Sequence, residues 1–159
     1  MIKTIFASIR QTRQVFADLV HSLDVAQLNT IPQGFNNNIA WNLGHIVVTT
    51  PALCYQRSGV RPNFQIPLQA AYRKDSKPSY PIQSTEISFL KELLEHSINQ
   101  IESDYEAGVF AQGFIPFSTS TYGAELNNIE EVLITTLMHD NLHLGYAQAQ
   151  RRIVLQSYQ

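Results

Sequence analysis

Charge is scarce in this chain. Asp, Glu, Lys and Arg together make up 15% of its 159 residues, against about a quarter in an ordinary soluble domain. The net charge is −2 and the pI near 6.2, so there is no basic footprint of the kind that nucleic acid requires. A single cysteine, Cys54, excludes an internal disulfide framework. No apolar run approaches the length of a membrane span, and the opening residues Met1 to Thr4 lack a signal-peptide pattern. The expected location is therefore cytoplasmic, with neither a membrane nor nucleic acid as partner. Repeats, low-complexity runs and composition shifts are missing too, so residues 1–159 are expected to form one domain. A hydrophobic content of 44% gives a chain of this size enough material for a core of its own.

What is present is helical periodicity. Ile2, Ile5, Phe6, Ile9, Phe16, Leu19, Val20 and Leu23 trace one stripe at 3.6-residue spacing and predict a first helix over 2–23. Arg13 interrupts that stripe. The reading favoured by its long stem is packing on the core with the guanidinium turned out to water; the alternative is a pair with a buried acid or an anionic group. Pro32 and Gly34 break a connector over 24–37. A second helix is predicted from Asn37 or Asn38, either able to cap it, to Arg57, with a kink at Pro51. Cys54 falls on the face of that helix opposite His45 and is read as packing. Residues 58–83 hold four prolines and read as a long crossover with a short helix near 66–74. A third helix is predicted over 85–105 with Ser84 as its cap, and a fourth from Asn127 or Asn128 to Val154. The expected fold is all-α: four long helices, running up-down-down-up, with the crossover between helices 2 and 3.

The residues able to carry chemistry are histidines. Met138 to Tyr146 read MHDNLHLGY and place His139 and His143 four residues apart, about 40° apart on one helix face. Two imidazoles so placed can grip one divalent ion, although HxxxH alone also describes ordinary polar residues on a helix. A third histidine, His45, closes the run NIAWNLGH over 38–45 and points inward beside Trp41 and Thr49. At about 1.5 Å per residue, the heights of His45 and His143 agree to about one helical turn. His21 and His96 fall on outer faces and serve as surface residues.

In the order and spacing of these motifs the chain resembles the DinB-like superfamily, the DinB/YfiT-type four-helix metal-binding bundles. The resemblance rests on Asn38, Trp41, Leu43, Gly44 and His45 in helix 2, and on His139, His143, Leu144, Gly145 and Tyr146 in helix 4. Asp140 stands where relatives often carry glutamate. The resemblance implies a site of His45, His139 and His143 on one divalent metal, and a homodimer.

Three nitrogen ligands with a coordination position left open describe a catalytic rather than a structural centre, and suit zinc, nickel, iron or copper. Asn42, Asp140 and Tyr146 are near a ligand by helical spacing and are the expected partners of the rings' second nitrogens. The expected function is a metal-dependent enzyme with a small-molecule substrate. The form that the resemblance implies is a transferase that uses a low-molecular-weight thiol, and another is a metal-dependent hydrolase. The rival class is a non-catalytic metal- or ligand-binding bundle.

Overall fold

A computed structural model describes residues 1–157. It is mostly helical, with one pair of two-residue strands. Helix α1 spans Ile2–His21 and buries Ile5, Phe6, Ile9, Phe16 and Val20, the expected stripe. The connector that follows contains a helix that sequence reading missed, α2 at Val25–Asn29. Asp24 and Gln27 satisfy each other's backbone N–H groups there in a capping box.

Helix α3, Ile39–Pro51, starts at Asn38, whose side chain accepts from the Trp41 backbone N–H at 2.8 Å. Nearly every residue of α3 is buried, so it is the central helix. Its α-helical hydrogen bonding ends at Pro51, and helical backbone continues to Arg57, the expected end. The missing proline N–H is followed by a π-helical turn over Ala52–Arg57, which carries Cys54 into the interior.

The crossover contains one turn of helix, α4, Gln69–Tyr72. Helix α5 spans Ser84–Glu106, and its N-cap is Gln83, not Ser84. After a 3₁₀ turn at Val109–Ala111, strands β1 (Phe117–Ser118) and β2 (Glu125–Leu126) pair antiparallel. Helix α6 runs Ile129–Ser157, three residues beyond the expected end, and Asn128 caps it by accepting from the Glu131 N–H at 3.0 Å.

Each of α1 and α3 packs on both α5 and α6. The core divides into two apolar clusters. One gathers Phe16 and Val20 of α1, Ile39, Ala40, Trp41, Leu43, Ile46, Val47 and Val48 of α3, Leu90 and Leu94 of α5, and Leu144 and Ala147 of α6. The other gathers Phe6 and Ile9 of α1, Cys54 and Tyr55, Ile98 and Ile101 of α5, and Val132 and Leu133 of α6. On every long helix the residues between the two sets include polar ones: Arg13, Thr50, Ser97 and Asp140. These polar residues converge. Arg13 donates from Nε to Asp140 Oδ2 at 2.9 Å, and its other nitrogens donate to Leu94 O, Ser97 Oγ and Thr50 Oγ1.

This corrects the favoured reading of Arg13. Its side chain is 3% exposed, because a carboxylate and three further acceptors from three helices take the place of water.

Candidate metal centre

His45 enters from α3, and His139 and His143 from successive turns of α6. All three are buried, and one ring nitrogen from each falls within 4.8 Å of the others. Their ring centroids are separated by 4.5 to 5.1 Å.

The outer nitrogens of two of the rings are spoken for. His45 Nδ1 lies 2.7 Å from the carbonyl oxygen of Tyr72. A carbonyl can only accept, so Nδ1 carries the proton and Nε2 keeps a lone pair. Trp41 stacks flat on the other side of this ring, at 4.6 Å and 11°.

His143 is fixed through a longer chain. Its Nδ1 lies 2.7 Å from Asn42 Oδ1. Two backbone carbonyls decide which way each amide in that chain points. The Asn37 carbonyl accepts from Gln150 Nε2 at 2.8 Å, so Gln150 Oε1 faces Asn42 Nδ2, at 2.9 Å. Asn42 Nδ2 also donates to the Asn38 carbonyl at 3.0 Å. Asn42 Oδ1 is therefore an acceptor, His143 Nδ1 a donor, and His143 Nε2 is left free.

The glycine before His45 has a specific role. A Cβ on Gly44 would lie 2.3 Å from the ring of Tyr72. The ring of this crossover residue uses the space. The Tyr72 hydroxyl donates to Glu86 Oε1 at 2.6 Å in the first turn of α5. Ring and hydroxyl together hold the backbone carbonyl that orients His45.

Burial sets the charge state. Desolvation pulls the His45 pKa down to about 4; the hydrogen bond to the Tyr72 carbonyl works against that shift. Desolvation, with the neighbouring imidazoles His139 and His45, pulls His143 down to about 2. Both are neutral at pH 7, the form that can donate a lone pair.

Of the residues expected around the ligands, Asn42 touches a ring and two do not hydrogen-bond one. Asp140 is fully buried, but its Oδ2 is taken by Arg13, and its Oδ1 lies 4.0 Å from His139 Nδ1 with no hydrogen-bond partner among the described residues. One residue of sequence turns a side chain about 100° around a helix, which carries Asp140 away from the histidine face. Tyr146 is half exposed, its ring 6.0 Å from that of His143. Gln150 and the Tyr72 carbonyl were not foreseen. Gln150 had a signal, since it lies seven residues beyond His143 on the same face. A backbone carbonyl has none. His21 and His96 are exposed, as expected.

The donor set fits a divalent ion. A tetrahedral ion about 2.1 Å from each imidazole needs nitrogens about 3.4 Å apart, a modest contraction from the present cluster. The rings line the inner end of a cavity of about 440 Å³. Its walls come from α3 and the π-helical turn, from α4 with Arg73 and Lys74, and from Thr119 to Tyr122 between the strands. The connector 24–37 and Tyr80 do not line it.

A family model described as the DinB superfamily matches residues 8–147. No curated protein matches the sequence.

Proposed function

The chain belongs to the DinB superfamily, and from that membership and the geometry of its histidines we propose that it is a metal-dependent enzyme. His45, His139 and His143 together hold one divalent ion, zinc, nickel or iron, and the reaction is a transfer that consumes a low-molecular-weight thiol.

The observation that carries this reading is the disposition of lone pairs. Three buried imidazoles gather at one point, and two of them have their Nδ1 protons committed to Tyr72 and Asn42. Lone pairs gathered at one point beside a cavity make a ready donor set, and a divalent cation is the ligand that can use them together. Bound there, a divalent ion would supply the chemistry of holding a coordinated thiol as thiolate near neutral pH.

The chain's own residues do the rest. Tyr72 and Asn42 orient two rings, and Trp41 covers one side of His45 against water. Thr49 places its hydroxyl 3.4 Å from His45 Nε2, at the cavity wall where a substrate would arrive. The cavity supports an enzyme over a purely fastening site, because it leads a small molecule to the free face of the rings.

The finer architecture belongs to the same proposal. α1 and α6 feed one apolar cluster with their first halves and the other with their second, while α5, and α3 together with the π-helical turn that continues it, do so in reverse. That order supports an up-down-down-up bundle with the crossover between α3 and α5. Ile134, Met138, Leu142 and Tyr146 are exposed at four-residue spacing along α6, which supports a homodimer, tested by sedimentation. No helix among the described residues is long and apolar enough to cross a membrane, and the proposed setting is cytoplasmic.

The test is metal analysis of protein purified without a histidine tag, then a screen for conjugation of small thiols to an electrophile. About one equivalent of metal per chain and turnover that disappears in His45→Ala are expected. Protein that neither retains nor takes up zinc, nickel or iron would remove the reading.

A further inference from the structure

The cavity that reaches the histidines is basic at its solvent end in a chain that is acidic overall. Arg57, Arg73 and Lys74 line it, and no Asp or Glu among the described residues does. All three cations are exposed while the three imidazoles are buried, so the positive charge stands at the mouth and the rings at the floor.

These cations are not spent on the fold. Arg73 has no side-chain hydrogen bond or ion pair among the described residues. Arg57 lies over the ring of Phe117 at 5.3 Å and gives one nitrogen to the Ser118 carbonyl at 3.1 Å, which steadies the side chain and leaves its charge unpaired. Lys74 faces only its sequence neighbour Asp75, at 3.4 Å and with both side chains well exposed, a contact worth little in water.

The opposite wall adds hydroxyls. Thr119, Ser120 and Thr121 border the cavity from the segment between the strands. Thr119 Oγ1 is buried without a hydrogen-bond partner among the described residues, a group that a ligand oxygen would satisfy. A cleft of one charge sign also concentrates counter-charged solutes.

We infer that the substrate of this cavity is a small molecule carrying an anionic oxygen group, carboxylate or phosphate. That group is held at the mouth by Arg57, Arg73 and Lys74 while the reacting end lies against the three histidines. The inference rests on the reading of the cavity as a substrate site and names the class of molecule it takes. Guanidinium groups grip carboxylate and phosphate by paired N–H donors. The hydroxyls between the strands complete the contact.

The test compares 3-mercaptopropionate with its uncharged amide on cobalt-loaded protein, read by the thiolate-to-cobalt absorption band. At low ionic strength the carboxylate thiol should bind about five- to tenfold tighter, the size expected of two or three solvent-exposed charge contacts. Arg73→Gln/Lys74→Gln and Arg57→Gln should each reduce that preference and leave the amide unchanged. Equal affinity of the two thiols in the unmodified protein overturns the inference, and the metal site stands. If neither thiol perturbs cobalt, the thiol reading fails, and calorimetry of the metal-free protein with glutarate and with glycerol phosphate decides the charge question. Binding of either that weakens in the arginine and lysine variants supports the inference; binding of neither overturns it.

Discussion

The two buried polar clusters meet at consecutive residues of α6, His139 and Asp140, yet they are satisfied in opposite ways. Around Arg13 almost everything is paired. The guanidinium gives hydrogen bonds to Asp140, Leu94, Ser97 and Thr50, and so ties α1 to the three other long helices. Around the histidines the pairing stops halfway. The Nδ1 sides of His45 and His143 are bonded to Tyr72 and Asn42, and the inner sides converge with lone pairs to spare. Polar groups of the first kind specify how helices pack. Those of the second kind are arranged for something that is not protein.

If that contrast holds, the two clusters should fail differently. The largest effect is expected at Arg13. Replacing it by Met strands Asp140 in the core, and removal of one partner of a buried pair costs about 3–5 kcal/mol. The denaturant midpoint should fall accordingly, and the double variant Arg13→Met/Asp140→Leu should recover most of the loss. A single variant as stable as the unmodified protein would mean that the pair contributes nothing.

Next in size is Asn42→Ala, which releases His143 Nδ1 and breaks the chain through Gln150. Loss of such an orienting group lowers metal affinity by about ten- to a hundredfold, measured by competition with a chelator, with little change in helix content. Gly44→Ala is expected to act at one remove. Its Cβ would displace the Tyr72 ring, an overpacking cost of about 1–3 kcal/mol against about 1 kcal/mol gained from helix propensity. The measurable sign is weaker metal binding alongside a stability loss of at most about 2 kcal/mol.

The smallest effect comes from mild acid on metal-free protein. His45 and His143 have pKa values lowered in the fold, to about 4 and about 2, from 6.5 in the unfolded chain. The unfolded chain therefore takes up protons first. Stability present above about pH 6.5 declines as the pH falls through that value and toward the folded pKa values, by about 1 kcal/mol between pH 7 and pH 6. The metal-free protein should show this slope in thermal melts, and a midpoint unchanged between pH 7 and pH 6 would contradict it.

What the sequence made visible divides along the same line. The three histidines were legible because helical spacing alone puts His139 and His143 on one face, and Trp41 and Thr49 mark the face of His45. The helix cores were legible for the same reason. Arg13 was misread because its partner lies far along the chain and its acceptors include a backbone carbonyl, which no residue type announces. Asp140 looked like a neighbour of a ligand, and it is one in sequence; the turn of the helix gives it to Arg13 instead. The wall of the cavity was hidden in the crossover and between the strands, segments without period.

The most direct test of the account is a calorimetric titration with zinc and with nickel. It uses tag-free protein and its five single variants His21→Ala, His45→Ala, His96→Ala, His139→Ala and His143→Ala. One ion per chain is expected, with affinity lost by about a hundredfold or more on removing His45, His139 or His143, since each supplies about a third of the donor set. His21→Ala and His96→Ala should bind as the unmodified protein does. An unchanged affinity in His45→Ala beside a lost one in His139→Ala would contradict the three-histidine site and leave only the pair on α6.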